Sequence, residues 1–184
     1  ALRSHTNLAA AHYHFGSKEA MVLEMLQARV KPINQRRMQY LAEAREKSAG
    51  KPLSTKDILR ALIFPIGEEI AKSTHTRQTL AQLVARTFTE PARFIQTMHR
   101  KFFGELCEKF MDELRKTHPT VKEQDLYWNL HLAISSMLGA LAQHRRLNDF
   151  SKGICDEEDT QDMINRLITF ATHGFEAGIS RPSL

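Results

Sequence analysis

A chain of 184 residues with 42% hydrophobic side chains and few Gly and Pro is long enough for one well-filled core and contains no low-complexity segment. It has no apolar run of about eighteen residues, which excludes a transmembrane helix, and its two cysteines, Cys107 and Cys155, are too isolated for a disulfide framework or a zinc knuckle. The net charge of +5 is unevenly placed: Arg3, Lys18, Arg29, Lys31, Arg36 and Arg37 stand against only Glu19 and Glu24 near the start, while the rest is almost balanced. A basic end on a near-neutral body points to a phosphate-rich partner at that end. No leader pattern opens the chain, and the two thiols suit a reducing compartment, so a cytoplasmic location and no membrane partner are expected.

Nearly every segment reads as helix. The opening NLAAAHYHFGSKEAM, Asn7 to Met21, reads as a short helix capped by Asn7, a tight corner at Gly16 and Ser17, and a second helix start. Ser17 caps a helix with apolar positions Met21, Val22, Met25, Leu26 and Val30. Pro32 begins a new helix or bends the old one, which carries Ile33, Arg37, Tyr40, Leu41 and Ala44 and stops at KSAGKP. Ser54 or Thr55 caps the next, with Ile58, Leu59, Leu62, Ile63, Ile66 and Ile70 on one face and a kink predicted near Leu62 to Phe64 by Pro65.

Leu80, Leu83, Val84 and Phe88 mark a further helix, punctuated by TEP. Pro91 opens another, in which Phe94, Met98, Phe102, Leu106, Phe110 and Leu114 recur at every fourth position until HPT breaks it. A long helix runs from about Glu123 to Leu147, a polar acidic loop NDFSKGICDEED follows, and a last helix runs from about Thr160 to Ala177. No alternating run supports a strand, so the predicted fold is all-α, with about seven or eight helices.

No catalytic signature appears. G-x-G-x-x-G, G-x-x-x-x-G-K, G-x-S-x-G, H-E-x-x-H, C-x-x-C and E-x-x-H are all missing. Only His12 and His14 are close among the nine histidines, and two residues apart on a helix they point about 200° away from each other. The chain is therefore read as a non-enzyme without metal or cofactor.

The opening stretch has the shape of a presented helix. Ala9, Ala10 and Ala11 keep its surface low, Phe15 anchors the corner, and Ser17 and Lys18 start the following helix, where free N–H groups and a full charge attract an anion. A small-faced helix beside a phosphate clamp is how a recognition helix is held in a major groove. Here YHFGSKEAM resembles the end of the helix-turn-helix of the TetR family of transcriptional regulators. The resemblance puts Asn7, Ala10, Ala11 and His12 toward bases and Tyr13 and Lys18 on phosphates, with Leu8 and Phe15 in the core. It implies that about 30 residues of the head precede Ala1. It also implies a division into residues 1–31, the end of the helix-turn-helix, and residues 32–184, a helical ligand-binding and dimerisation domain. The function implied is a ligand-responsive regulator, a repressor, acting as a homodimer on double-stranded operator DNA. The alternatives are a helical carrier of small apolar ligands and a helical enzyme.

Two further expectations concern the larger part. The two last long helices carry more apolar surface than a terminal helix needs, and Gly139, Ala140, Gly174 and Ala177 would let copies approach as a four-helix dimer bundle. A ligand space is expected around the Pro65 kink, lined by Ile63, Phe64, Val84, Phe88, Phe94, Met98 and Phe102 and closed by Trp128, His131 and Met137. Arg86, His99 or His131 would orient a polar end. LVARTFTEP and LYWNLHLAISSMLGALA resemble the PsrA-related, fatty-acid-responsive subgroup of the same family. That resemblance implies a small apolar ligand, a fatty acid or acyl-CoA first and an aromatic compound second.

Overall fold

A computed structural model of the protein describes residues 18–87, 92–143, 146–156 and 158–180. Over these it is all-α, with no strand among the described residues. The helices are α1 (Lys18–Lys47), α2 (Thr55–Ala71), α3 (Thr74–Thr87), α4 (Ala92–Phe102), α5 (Gly104–Thr117), α6 (Glu123–Gln143), α7 (Arg146–Ser151) and α8 (Thr160–Ile179).

The architecture is organised on α2. Its N-terminus is fixed by Ser54, whose Oγ accepts from the Asp57 N–H at 3.1 Å and donates to the Asp57 carboxylate at 2.6 Å. Ile58, Leu59, Ile63 and Ile70 are fully buried on a helix wide enough in its apolar face to touch α1 on one side and α8 on the other. Phe110, Met111 and Leu114 of α5, Leu126 of α6 and Ile164 and Phe175 of α8 complete the same core. The His118 ring stacks on Phe175 at 6.0 Å, and its Nε2 lies 2.8 Å from Thr55 Oγ1, tying together the end of α5, the start of α2 and α8. Burial pushes the His118 pKa down, so this tie uses a neutral ring.

The α2–α8 crossing depends on Gly67. A Cβ built there lies 2.7 Å from Ile164 Cγ1, inside contact distance of a buried side chain that has nowhere to retreat. Gly67→Ala is therefore expected to lower stability by about 1–2 kcal/mol, overpacking outweighing the gain of about 1 kcal/mol in helix propensity. Adding Ile164→Ala should recover part of that loss in urea melts, and simple additivity of the two would refute the close approach.

Several boundaries differ from the sequence reading. α1 runs unbroken through Pro32, which is exposed, so the expected start of a new helix does not occur. α2 carries Pro65 inside it as a buried residue. The single helix expected from Phe94 to Leu114 is two helices, divided at Phe103, whose ψ of −17° precedes Gly104. A strict four-residue repeat drifts about 40° per step on a helix of 3.6 residues per turn, so one straight helix could not keep Phe94 and Leu114 on one face. The break resets the face, and Phe94, Phe110 and Leu114 are all buried. The described part of α6 reaches Gln143 and the chain is helical again over Arg146–Ser151, so Leu147 is helical as expected and Asn148 to Ser151 of the expected loop are helical too. α8 begins at Thr160 as expected, capped by Asp159 on the Asp162 N–H at 2.9 Å.

Candidate functional site

α1, Lys18–Lys47, is the longest helix among the described residues. It starts at Lys18 and is still helical at Lys47, with Arg45 and Lys47 in its last turn favourable to the negative helix end. Leu26, Ile33 and Leu41 bury one stripe of it. On the side facing α2, Arg36 makes a forked pair with Glu68 at 3.0 and 3.2 Å, and Tyr40 donates to the same carboxylate at 2.6 Å. Burial alone would raise the Glu68 pKa, but these donors outweigh it and hold the carboxyl below its usual range.

Arg37 lies in the same apolar stripe, one turn after Ile33 and one turn before Leu41, and is 3% exposed. Its Nε donates to the Leu62 carbonyl at 2.8 Å and one Nη to Asn34 Oδ1 at 2.9 Å, and the other Nη faces Met137 Sδ at 3.8 Å. All three acceptors are neutral, and among the described residues no carboxylate pairs with it. Burial pushes its pKa down to about 10, which still leaves it charged at neutral pH. Burial likewise raises the nearby Cys107 thiol.

Arg37 thus sits between Leu62 of α2 and Met137 of α6, the latter one of the residues expected to close the ligand space. Ile63, Met137 and Phe94 are core residues. Phe64 is half-buried, edge-on to Tyr40 at 5.5 Å with the Arg60 guanidinium 4.3 Å above its face. Val84 and Met98 are half-buried, and Phe88 and the Arg86 side chain lie outside the described residues. Trp128 and His131 do not close this space: Trp128 is 58% exposed, and the two rings meet edge-to-face at 6.2 Å on the outer side of α6. Nine residues separate Trp128 from Met137, half a revolution of the helix, so the two cannot line one cavity. His99 is exposed beside Phe103.

The open space lies elsewhere. A cleft of about 570 Å³ separates α1 from α4 and α5, with Val30, Asn34, Met38, Phe102 and Leu106 in its walls and Lys31, Arg100, Lys101 and Lys109 among its lining residues. Asn34 Nδ2 donates to the Phe102 carbonyl at 2.7 Å and joins the two walls. A second space of about 590 Å³ continues along α1 toward Leu23, sharing Gln27, Lys31, Gln35 and Lys101. Of the residues the sequence assigned to the ligand, only Phe102 borders the cleft. The cations on its rim read in sequence as ordinary solvated helix faces, so nothing there singled it out.

Trp128 and Leu132 of α6 and Phe170 of α8 are exposed apolar residues on two helices packed against each other. Gly139 and Gly174 have open space where a Cβ would stand.

The residues assigned to DNA, Asn7, Ala10, Ala11, His12 and Tyr13, lie outside the described residues, as does the Lys18 side chain. Among the described residues no group of His, Cys, Asp or Glu could hold a metal ion, and no helix is long and apolar enough to cross a membrane. No curated protein matches the chain. A family model described as the tetracyclin repressor-like C-terminal domain matches residues 60–174, most of α2 through α8. That match covers more than half of the chain and falls on the bundle, while the resemblance of YHFGSKEAM falls on the head preceding it. The chain belongs to the TetR family of transcriptional regulators.

Proposed function

We propose that the protein is a cytoplasmic, ligand-responsive repressor that binds operator DNA as a homodimer. Residues 1–31 carry the end of a helix-turn-helix, and residues 32–184 carry dimerisation and ligand binding. The observation that carries this reading is α1: a single helix of 30 residues, Lys18–Lys47, follows the recognition-helix-like stretch and is held in the bundle core by Ile33 and Leu41. A rigid helix shared by both parts converts a shift in the bundle into a change of head spacing. Half-sites one DNA turn apart, about 34–36 Å, make that spacing decisive. The exposed Trp128, Leu132 and Phe170 support a dimer face on α6 and α8, a self-complementary patch across a two-fold axis.

The ligand is an elongated apolar molecule with one anionic end, a fatty acid or acyl-CoA before an aromatic compound. Phe102 on α4, which borders the cleft, supports a site along that helix. A ligand can release the operator only through a difference in its affinity for the two head spacings.

Gel shifts of the full-length protein on its own upstream DNA test the reading, with salt titration as control. Absence of binding at any salt concentration would refute it. Within the head, Asn7, Ala10, Ala11 and His12 face bases while Tyr13 and Lys18 hold phosphates. Lys18→Ala should weaken binding to operator and unrelated duplexes alike and reduce the salt slope by about one. A changed operator preference in that variant would move Lys18 to the base-reading set.

A further inference from the structure

We infer that the cleft between α1 and α4–α5 is a binding site for an amphiphile carrying a phosphate headgroup. The inference rests on the ligand-responsive reading above and departs from it on the headgroup, a dianionic phosphate in place of a fatty acid's carboxylate. Lys31, Arg100, Lys101 and Lys109 line the cleft against a single acid, Glu105. Among the described residues none of these four cations is ion-paired. A fifth cation, Arg37, lies directly behind the wall: it donates to Asn34, which borders the cleft, and it has only neutral partners. A buried guanidinium is screened less than an exposed one, so it adds to the positive potential on the Asn34 side of the cleft.

Charge of this density calls for more than one negative charge. A phosphate monoester carries about −1.5 to −2 at neutral pH, whereas a carboxylate leaves most of the rim uncompensated. The apolar part of the ligand has its own surface in Val30, Met38, Phe102 and Leu106, and about 570 Å³ is within the range of small-molecule sites. Operator DNA does not fit this position. Lys31 is thirteen residues beyond Lys18, so it stands about 20 Å along α1 from the end that would meet the duplex.

α1 forms one wall and α4 the other, joined by the Asn34–Phe102 hydrogen bond.

The test uses the full-length protein and four probes: decyl phosphate, decanoate, decanol and inorganic pyrophosphate. Isothermal titration should give binding of decyl phosphate at least tenfold tighter than of each of the other three, weakening with salt. Lys31→Glu combined with Lys101→Glu should lose at least tenfold in decyl phosphate affinity while keeping the helical circular dichroism and melting temperature of the wild type. If that pair fails to fold, Lys31→Gln combined with Lys101→Gln should show a smaller loss in the same direction. The inference is overturned if no probe binds at millimolar concentration, if decanoate or decanol matches decyl phosphate, if pyrophosphate alone binds as tightly, or if folded charge-altered variants bind unchanged. Displacement of decyl phosphate by a non-operator duplex would put DNA in the cleft and overturn it equally. None of these titrations except the last contains DNA, so a protein that binds decyl phosphate without binding an operator keeps the site and loses the regulator reading.

Discussion

A Phe170→Glu substitution is expected to convert a dimer into a folded monomer and to abolish tight operator binding. Phe170 is 67% exposed and lies outside the core of its own chain, so replacing it by a good helix former leaves α8 intact. Across a two-fold interface the same change appears twice, and each buried carboxylate without a partner costs several kcal/mol. Sedimentation velocity at micromolar concentration should show a monomer with unchanged melting behaviour of its helices. Operator affinity should then fall by about 10²–10⁴, because one head binds without the effective concentration supplied by the second. Phe170→Leu is the control and should remain dimeric. A variant that stays dimeric with normal operator binding would move the dimer face away from Trp128, Leu132 and Phe170.

The parts of the fold that were legible in the sequence are those governed by local chemistry. Of the two caps offered, Ser54 or Thr55, it is Ser54 that caps, a short polar side chain before an apolar-periodic run, because only the chain's own next turn is involved. The break at Phe103 was hidden by a repeat that looked like one face, and only the mismatch between four residues and 3.6 betrays it. Pro32 is a different case: an exposed ring on a helix held by burial on its other side is tolerated without a break.

The ligand lining read from the sequence combines residues that lie on opposite faces of α6. Trp128 and Met137 both belong to the apolar positions of α6, but which of two opposite faces meets the core is decided by α3 and α8, not by α6 itself. Arg37 did carry a signal. It occupies the apolar stripe between Ile33 and Leu41, where a charged residue is out of pattern, and such a position calls for a structural or functional account. The cleft had no comparable mark, since exposed Lys and Arg on α1, α4 and α5 resemble any solvated helix surface.

Arg37 leads to the second large effect. Its folded-state pKa is depressed by burial to about 10, below its ordinary value. A depressed pKa contributes stability only above the unfolded-state value, and that contribution is lost as the pH falls through about 10. At neutral pH the folded chain therefore bears the unfavourable charged form, to the extent of about 3 kcal/mol. Arg37→Met replaces the charge by an apolar side chain that can follow the same path between Leu62 and Met137. The lost hydrogen bonds to the Leu62 carbonyl and Asn34 offset part of the gain, because Asn34 can turn to the open cleft and the Leu62 carbonyl remains within its helix. The net expectation is a variant about 1–3 kcal/mol more stable than the wild type, with a melting temperature higher by about 2–4 °C per kcal/mol. Arg37→Ala removes the stem as well, leaves a cavity, and should fall about 1–3 kcal/mol below the Met variant. The pH dependence separates charge from packing. The gap between Arg37→Met and wild type should be flat from pH 6 to 9 and narrow above about pH 10, as the wild-type guanidinium loses its proton in the folded state. A Met variant less stable than the wild type, or a gap indifferent to alkaline pH, would show that the three neutral acceptors fully satisfy the guanidinium.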